Sequence, residues 1–477
     1  MLTLSDTRPD RNCQGLARRD FLRVGALGLG ALGLGGMDLP GWLAARAVAA
    51  ESGQRVSLVR DKSVVLLFLQ GGPSHIEFFD PKMSAPSEIR AQFGEVATDL
   101  PGITFGGHFS RLARLTKHFS IVRSYGSNNS GHTYQEVVSG GNKLKASMSA
   151  VYARVAGTNH PTLGTPRNTL VLPEAVEAGL KLRGNFETSA LPTLTDPGSL
   201  PAHYRAFDPQ GGGEIKQNMQ LTLPRERFDD RRSLLSGLDQ MRRRLDASGQ
   251  FEGVGKYQQQ AFDVIARGVA AAFDLTQESP ATLARYDTSH LFNNAEAQRW
   301  NDMHRSTNLL GKQMLLARRL CEAGCGFVTV SDCGWDMHAN GNSPKYMGGM
   351  EWLAPQVDHA VAAFIEDVHE RGLQDKILLA VTGEMGRTPR INRDGGRDHY
   401  GELTPLLLSG GGLKMGQIVG ESDSQAGRAI GMPYRPHHLL ATVLHTLLDA
   451  SELRVTRGLP REIVRIIEDH QPIAELA

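Results

Sequence analysis

The sequence predicts an α/β fold built on a doubly wound, mainly parallel sheet, and three observations carry that reading. Ser63 to Leu69 and Ile377 to Thr382 are nearly unbroken aliphatic, β-branched runs, the pattern of strands buried on both faces. Each run ends in a glycine turn, Gln70-Gly71-Gly72-Pro73 after the first and Gly383-Glu384-Met385-Gly386 after the second. Amphipathic helical stretches separate such runs, and strand–helix–strand alternation places helices on both faces of a parallel sheet. The 477 residues exceed what one small core needs, so a large domain with insertions is expected.

The chain opens with Ala17-Arg18-Arg19-Asp20-Phe21-Leu22-Arg23, a paired-arginine signal, and a glycine-rich apolar segment from Val24 to Met37. That segment is too short and too rich in glycine to span a bilayer, and Ala47 and Ala49 offer a small-x-small cleavage site. Residues 1–50 therefore read as a twin-arginine signal peptide, and residues 51–477 as a periplasmic or secreted domain with no membrane span. This route carries folded proteins, often with a cofactor already bound, which favours a metal.

In the mature chain, Ser63 to Leu69 is the first central strand, Phe119 to Arg123 a shorter second and Thr169 to Pro173 a third. Residues 221–320 change character. Arg231 to Leu245, Gln258 to Leu275 and Glu296 to Leu320 show helical periodicity, so a mainly helical insertion is expected there. Phe327 to Ser331 returns to the sheet. A long helix from Trp352 to Arg371, closed by Gly372, leads into the strand at Ile377, and Thr404 to Ser409 is a further strand.

The formal net charge is +1, and removing the 6 basic and 4 acidic residues of positions 1–50 from totals of 52 and 51 leaves 46 against 47. A neutral surface excludes nucleic acid as an electrostatically driven partner. Cys13 leaves with the signal. Cys321 and Cys325 lie one turn apart on an amphipathic helix, as small buried hydrophobes do, while a disulfide from Cys333 to one of them stays open.

Chemistry is expected at the carboxyl ends of the strands, where open α/β sheets hold their ligands. After Ser331 comes Asp332-Cys333-Gly334-Trp335-Asp336-Met337-His338, whose Asp336 and His338 share one face of an extended segment. Glu384 and Arg387 follow the strand ending at Thr382, and Arg397, Asp398 and His399 stand one loop later. Asp336, His338 and His399 make one carboxylate and two imidazoles, a catalytic metal set with an open position; Asp398, Glu384 and Gln70 are further candidate ligands, and Glu384 is alternatively the general base. Zinc or manganese suits nitrogen donors, with calcium or magnesium as the harder alternatives. Arg387 and Arg397 would face an anionic substrate. The loop Asn128-Asn129-Ser130-Gly131-His132-Thr133 offers a hydroxyl nucleophile, Ser130 or Thr133, or a histidine ligand, although such residues also crowd ordinary turns. His75 could stand at the sheet edge beside Gln70. His437-His438 and the basic runs near Arg231 and Arg242 read as structural or solvated, and no Walker or dinucleotide loop is present.

In order, the paired arginines, Leu69-Gln70-Gly71-Gly72-Pro73-Ser74-His75, Phe79-Asp80-Pro81-Lys82, Ala317-Arg318-Arg319-Leu320, Gly334-Trp335-Asp336-Met337-His338, Gly383 to Pro389 and Gly396-Arg397-Asp398-His399 resemble an exported family catalogued as domain of unknown function 1501. That family is a branch of the alkaline phosphatase and sulfatase superfamily. The resemblance spans the mature chain and implies an alkaline phosphatase-like sheet with metals at the strand ends and ester hydrolysis. Asp336, His338 and His399 match the superfamily's one-Asp, two-His site. Gln70 stands where a metal-binding Asp is usual, and Glu384-Met385-Gly386 where Asp-His-Gly is usual; Ser130 and Thr133 occupy the region of the nucleophile. The sulfatase signature Cys-x-Pro-x-Arg is absent. The expectation is an exported metal-dependent hydrolase of phosphate or sulfate esters, acting on an anionic ester or glycan. The alternative is a degenerate relative that binds a glycan or an envelope partner.

Overall fold

A computed structural model describes residues 58–209, 227, 269–453, 456 and 458–477. The expected signal peptide, the helix expected from Arg231 to Leu245 and most of that from Gln258 to Leu275 lie outside the described residues. In chain order the first strands are β1 (Ser63–Leu69), β2 (Glu95–Ala97), β3 (Thr104–Gly106), β4 (Ser120–Val122), β5 (Asn168–Val171), β6 (Phe327–Asp332) and β7 (Ile377–Gly383). There follow β8 (Gly386–Arg387), β9 (His399–Tyr400), β10 (Leu407–Gly410), β11 (Ile418–Val419), β12 (Glu421–Ser422) and β13 (Ala429–Ile430).

Seven strands form one central sheet in the order β11-β4-β10-β7-β1-β6-β5. β1 pairs in parallel with both β6 and β7, β5 with β6, and β11 with β4. The protein is thus a mixed α/β fold around a mostly parallel sheet. β10 is the exception, antiparallel to β7 and β4. The chain between β7 and β10 contains the β8–β9 ribbon and no helix. Without a crossover to carry it back to the starting edge, the next strand returns in the opposite sense.

Alternate side chains of β1 feed two cores, as the two-residue period of a strand requires. Val65, Leu67 and Leu69 join one with residues of the helices Leu310–Glu322 and Met350–Glu370. Val64, Leu66 and Phe68 join the other with the helices Met148–Ala156, Pro436–Leu447 and Arg461–Glu468. Each such side chain contributes about 1.5–3 kcal/mol by burial, so the sheet is covered and stabilised on both faces.

The helical pattern from Glu296 to Leu320 is only partly realised: Leu310–Glu322 is a regular helix, preceded by the short elements Asn294–Ala297 and Asn301–Met303. Side chains explain the break. Gln298 Nε2 donates to the carbonyls of His304 (3.0 Å) and Ser306 (3.3 Å), and Ser306 Oγ donates to that of Cys333 (2.8 Å). Polar side chains satisfy the backbone locally and pin it to the loop after β6, in competition with a continuous helix. Cys321, Cys325 and Cys333 are buried free thiols, so the disulfide left open by the sequence is not formed. Among the described residues no helix is long and apolar enough to cross a membrane.

Candidate metal centre

β1, β6 and β7 end level with one another: Leu69 lies opposite Asp332 on one side and Gly383 on the other. The three following loops therefore start at the same height. Gly71, at φ +112°, lets them meet, because a Cβ there would lie 2.4 Å from the Asp336 amide nitrogen. Its own N–H donates to both Glu384 oxygens, at 2.9 and 3.2 Å. The β6 loop is held from several sides. Trp335 N–H donates to the Gln70 carbonyl (3.0 Å), its indole to Asp332 (2.8 Å), and Gly334 N–H to Glu187 (2.8 Å).

These constraints leave Asp336 only 6% exposed, with three imidazoles around it. His338 Nε2 and His399 Nε2 lie 3.1 and 3.2 Å from its Oδ1, and His132 Nε2 lies 3.3 Å from its Oδ2. Arg387 reaches the same carboxylate. Behind each ring, Nδ1 faces a separate acceptor: Glu384 Oε1 at 2.9 Å for His132, Asp398 Oδ1 at 3.0 Å for His338, and the Ser130 carbonyl at 3.2 Å for His399. His132 is packed between the rings of Phe186 and His399, with centroids 4.2 and 4.5 Å away. The ligand atoms of His132, Asp336 and His399 all lie within 4.8 Å of one another.

The donor set fits a divalent cation. A neutral imidazole whose Nδ1–H donates backwards presents a bare lone pair at Nε2. Lone pairs aimed at a carboxylate are satisfied either by protonating the rings or by a cation among them. The electrostatics say that positive charge is welcome. Burial works to lower the pKa of His132, but hydrogen bonds to Asp336 and Glu384 outweigh it and raise it to about 9. The hydrogen bond to Asp336 also raises His338. Burial works to raise Asp336, yet hydrogen bonds from the three histidines and the charge of Arg387 hold it well below the carboxylate range. Burial lifts nearby Glu187 to about 8 and Asp302 to about 6.

Several expected residues take other roles. Gln70 turns away from the cluster, its Nε2 donating to Ser331 Oγ and, at 3.1 Å, to Cys333 Sγ. Glu384 is fully buried and orients His132. Asp398 is on the exposed side, accepting from Asn392 Nδ2 (2.9 Å) and backing His338. Arg387 and Arg397 are not available to an anion: both are fully buried with every guanidinium nitrogen occupied. Arg387 donates to the carbonyls of Gly71, Gly72, Trp335 and Arg397 as well as to Asp336. Arg397 holds Glu77 at 2.9 Å and the carbonyls of Ile89, Arg90, Thr388 and Pro389. Ser130 and Thr133 are exposed; Ser130 enters through its carbonyl, and that of Thr133 accepts from Asn129 (2.9 Å). His75 is buried and meets the Ala426 carbonyl at 3.0 Å. Phe186 and Glu187 carried no signal in the sequence, while His132 lay in a loop whose composition is that of any turn.

The sequence profile described as "Protein of unknown function (DUF1501)" matches residues 61–476. The chain belongs to this family. No curated protein matches this DUF1501 chain. Among solved structures it is similar to the PsFucS1 sulfatase from Pseudoalteromonas sp., at 11% identity over 84% of this chain and 69% of that one, with a TM-score of 0.32. It is also similar to the phosphonate monoester hydrolase SpPMH from Silicibacter pomeroyi, at 13% identity over 81% and 73%, with a TM-score of 0.30. At these scores the likeness is loose, and the fold rests on the strand order given above.

Proposed function

We propose that this DUF1501 protein is an exported, metal-dependent hydrolase of phosphate or sulfate esters on an alkaline phosphatase-like sheet. The observation that carries the reading is the convergence of three imidazole Nε2 atoms on the Asp336 carboxylate, each ring backed at Nδ1 by an acceptor. His132, Asp336 and His399 would hold the ion, and their two nitrogens favour zinc or manganese over calcium or magnesium. When bound, it supplies Lewis-acid polarisation of an anionic ester.

The rest of the chemistry falls to the chain's own groups. Glu384 and the Ser130 carbonyl hold the Nδ1 protons of His132 and His399, which fixes the tautomer and aims both Nε2 atoms. His338 lies outside the tight group with its side chain 20% exposed and Asp398 behind it, placed to take or return a proton at Nε2. Phe186 covers one face of His132 with its ring. Arg387 stays on Asp336 and keeps its carboxylate ionised.

The test is elemental analysis of the purified protein beside His132→Ala and His399→Ala, with turnover of a panel of phosphate and sulfate esters. About one equivalent of zinc or manganese, lost with activity in both variants, is the expected result. No metal after reconstitution would sink the proposal. Metal without turnover would leave the second reading, a glycan- or envelope-binding relative, which the diversion of Gln70 into Ser331 and Cys333 favours. Export through the paired arginines predicts that Arg18→Lys with Arg19→Lys keeps the full-length chain in the cytoplasm.

A further inference from the structure

A second surface is an open groove of about 660 Å³ whose lining includes no residue of the metal centre. Leu180 to Arg183 form one stretch of its wall, and Asp287 to Ser289, Leu309 and Lys312 also line it. Two links tie it to the site. Arg183 is three residues before Phe186, which stacks on His132, so at an extended reach of ~3.5 Å per residue the wall comes within about 10 Å of that stack. Ser306 lines the groove and donates to the carbonyl of Cys333, three residues before Asp336. A chain-like ligand could therefore occupy both.

We propose that this groove takes the flanking sugars of an anionic oligosaccharide whose ester sits at the metal centre. The inference rests on the hydrolase reading and names its substrate class. Among the described residues neither Lys181 nor Arg183 has a carboxylate partner, and Arg183 donates only to the Gln298 carbonyl, at 3.5 Å. Lys312, by contrast, is neutralised by Glu177 at 3.0 Å. The rest of the lining mixes the side chains of Leu180, Leu182 and Leu309 with hydroxyls and amides such as Ser289, Asn294 and Asn308, and with the acids Glu177 and Asp287. Glu177 is spent on Lys312, so Asp287 is the carboxylate left to repel a dense polyanion such as nucleic acid or polyphosphate. A chain with many hydroxyls and sparse charges matches both halves of the lining: its hydroxyls meet the amides, and its occasional sulfate or phosphate meets Lys181 or Arg183.

The experiment compares the zinc-loaded full chain with a Lys181→Glu/Arg183→Glu variant, neither residue belonging to the metal site. Calorimetry measures binding of a short sulfated dextran, the same dextran unsulfated, and inorganic polyphosphate, while hydrolysis of 4-nitrophenyl phosphate and sulfate reports on the centre. The proposal expects sulfated dextran to bind best and the variant to bind it about tenfold more weakly, the sum of two exposed ion pairs, with small-ester turnover unchanged. Equal binding by variant and parent, or of sulfated and plain dextran, overturns it. Polyphosphate binding as tightly as the sulfated dextran overturns the glycan assignment. Charge-dependent glycan binding in a protein that turns over no small ester would sink the hydrolase reading and leave the groove standing.

Discussion

Replacing Glu77 by Gln tests how the loop carrying His399 is anchored. Glu77 and Arg397 are both buried, at 2% and 0% exposure. One carboxylate oxygen meets Arg397 Nη2 at 2.9 Å and Nε at 3.2 Å, and the other accepts the Gln92 N–H at 3.0 Å. Glutamine keeps the shape and removes the charge. The carboxylate could respond to the loss of its partner by taking a proton, and burial already pushes Glu77 upward against the pull of Arg397. The guanidinium has no such exit, because it does not deprotonate in proteins. Glu77→Gln therefore strands a buried cation among neutral carbonyls, at a cost of about 3–5 kcal/mol. The unit Leu58–Ala477 has about 420 residues, and at roughly 2.1 cal/mol/K of unfolding entropy per residue that cost lowers Tm by about 3–6 °C. Scanning calorimetry on parent and variant measures it. A shift below about 1 °C would refute the reasoning and mean that the carbonyls of Ile89, Arg90, Thr388 and Pro389 suffice to hold Arg397.

Three further outcomes are expected. Gly71→Ala forces a Cβ to 2.4 Å from the Asp336 amide at φ +112°, so strain of about 1–3 kcal/mol plus the clash should lower Tm and abolish metal uptake; normal uptake would show that the loops do not need this close approach. Glu384→Gln loses the charge behind His132 but not the ring, so metal affinity should fall about 10–100-fold rather than vanish, as read by chelator competition. His75 is buried, and desolvation lowers its pKa from 6.5 to about 4. Between those values the unfolded chain binds a proton that the folded chain refuses, so stability falls as pH drops through 6.5, by up to about 3 kcal/mol at pH 4. In urea titrations from pH 7 to pH 4, His75→Gln should flatten that dependence; an unchanged slope would assign it to other groups.

Much of the architecture is written in local patterns. β1 occupies the same residues as its apolar run, and β6 and β7 extend theirs by one residue each, because strands buried on both faces leave a continuous signature. Asp336, His338, Glu384 and His399 stand at predictable places because glycine turns end those strands. What remained hidden depends on contacts across hundreds of residues. His132 reaches Asp336 from a loop rich in Asn, Ser and Gly, where nothing local separates a ligand from a turn residue. The burial of Arg387 and Arg397 runs against the ordinary behaviour of arginine, which is seldom enclosed unless paired, and only the fold supplies Glu77 and the ring of carbonyls. The reversal of β10 follows from a missing crossover helix, an absence easily overlooked when strands are read one at a time.

The acceptors behind the histidines have a consequence for motion. His399 leans on Ser130, which belongs to the loop of His132; His132 leans on Glu384, at the end of β7; His338 leans on Asp398, the neighbour of His399. The loop of His132 steadies His399, the loop of His399 steadies His338, and the end of β7 steadies His132, so the loops are cross-braced. Loading the centre should then act as a single latch. Amide exchange would slow together over the stretches around His132, His338 and His399, and withdrawing the ion would release all three at once, leaving the parallel strands beneath them undisturbed.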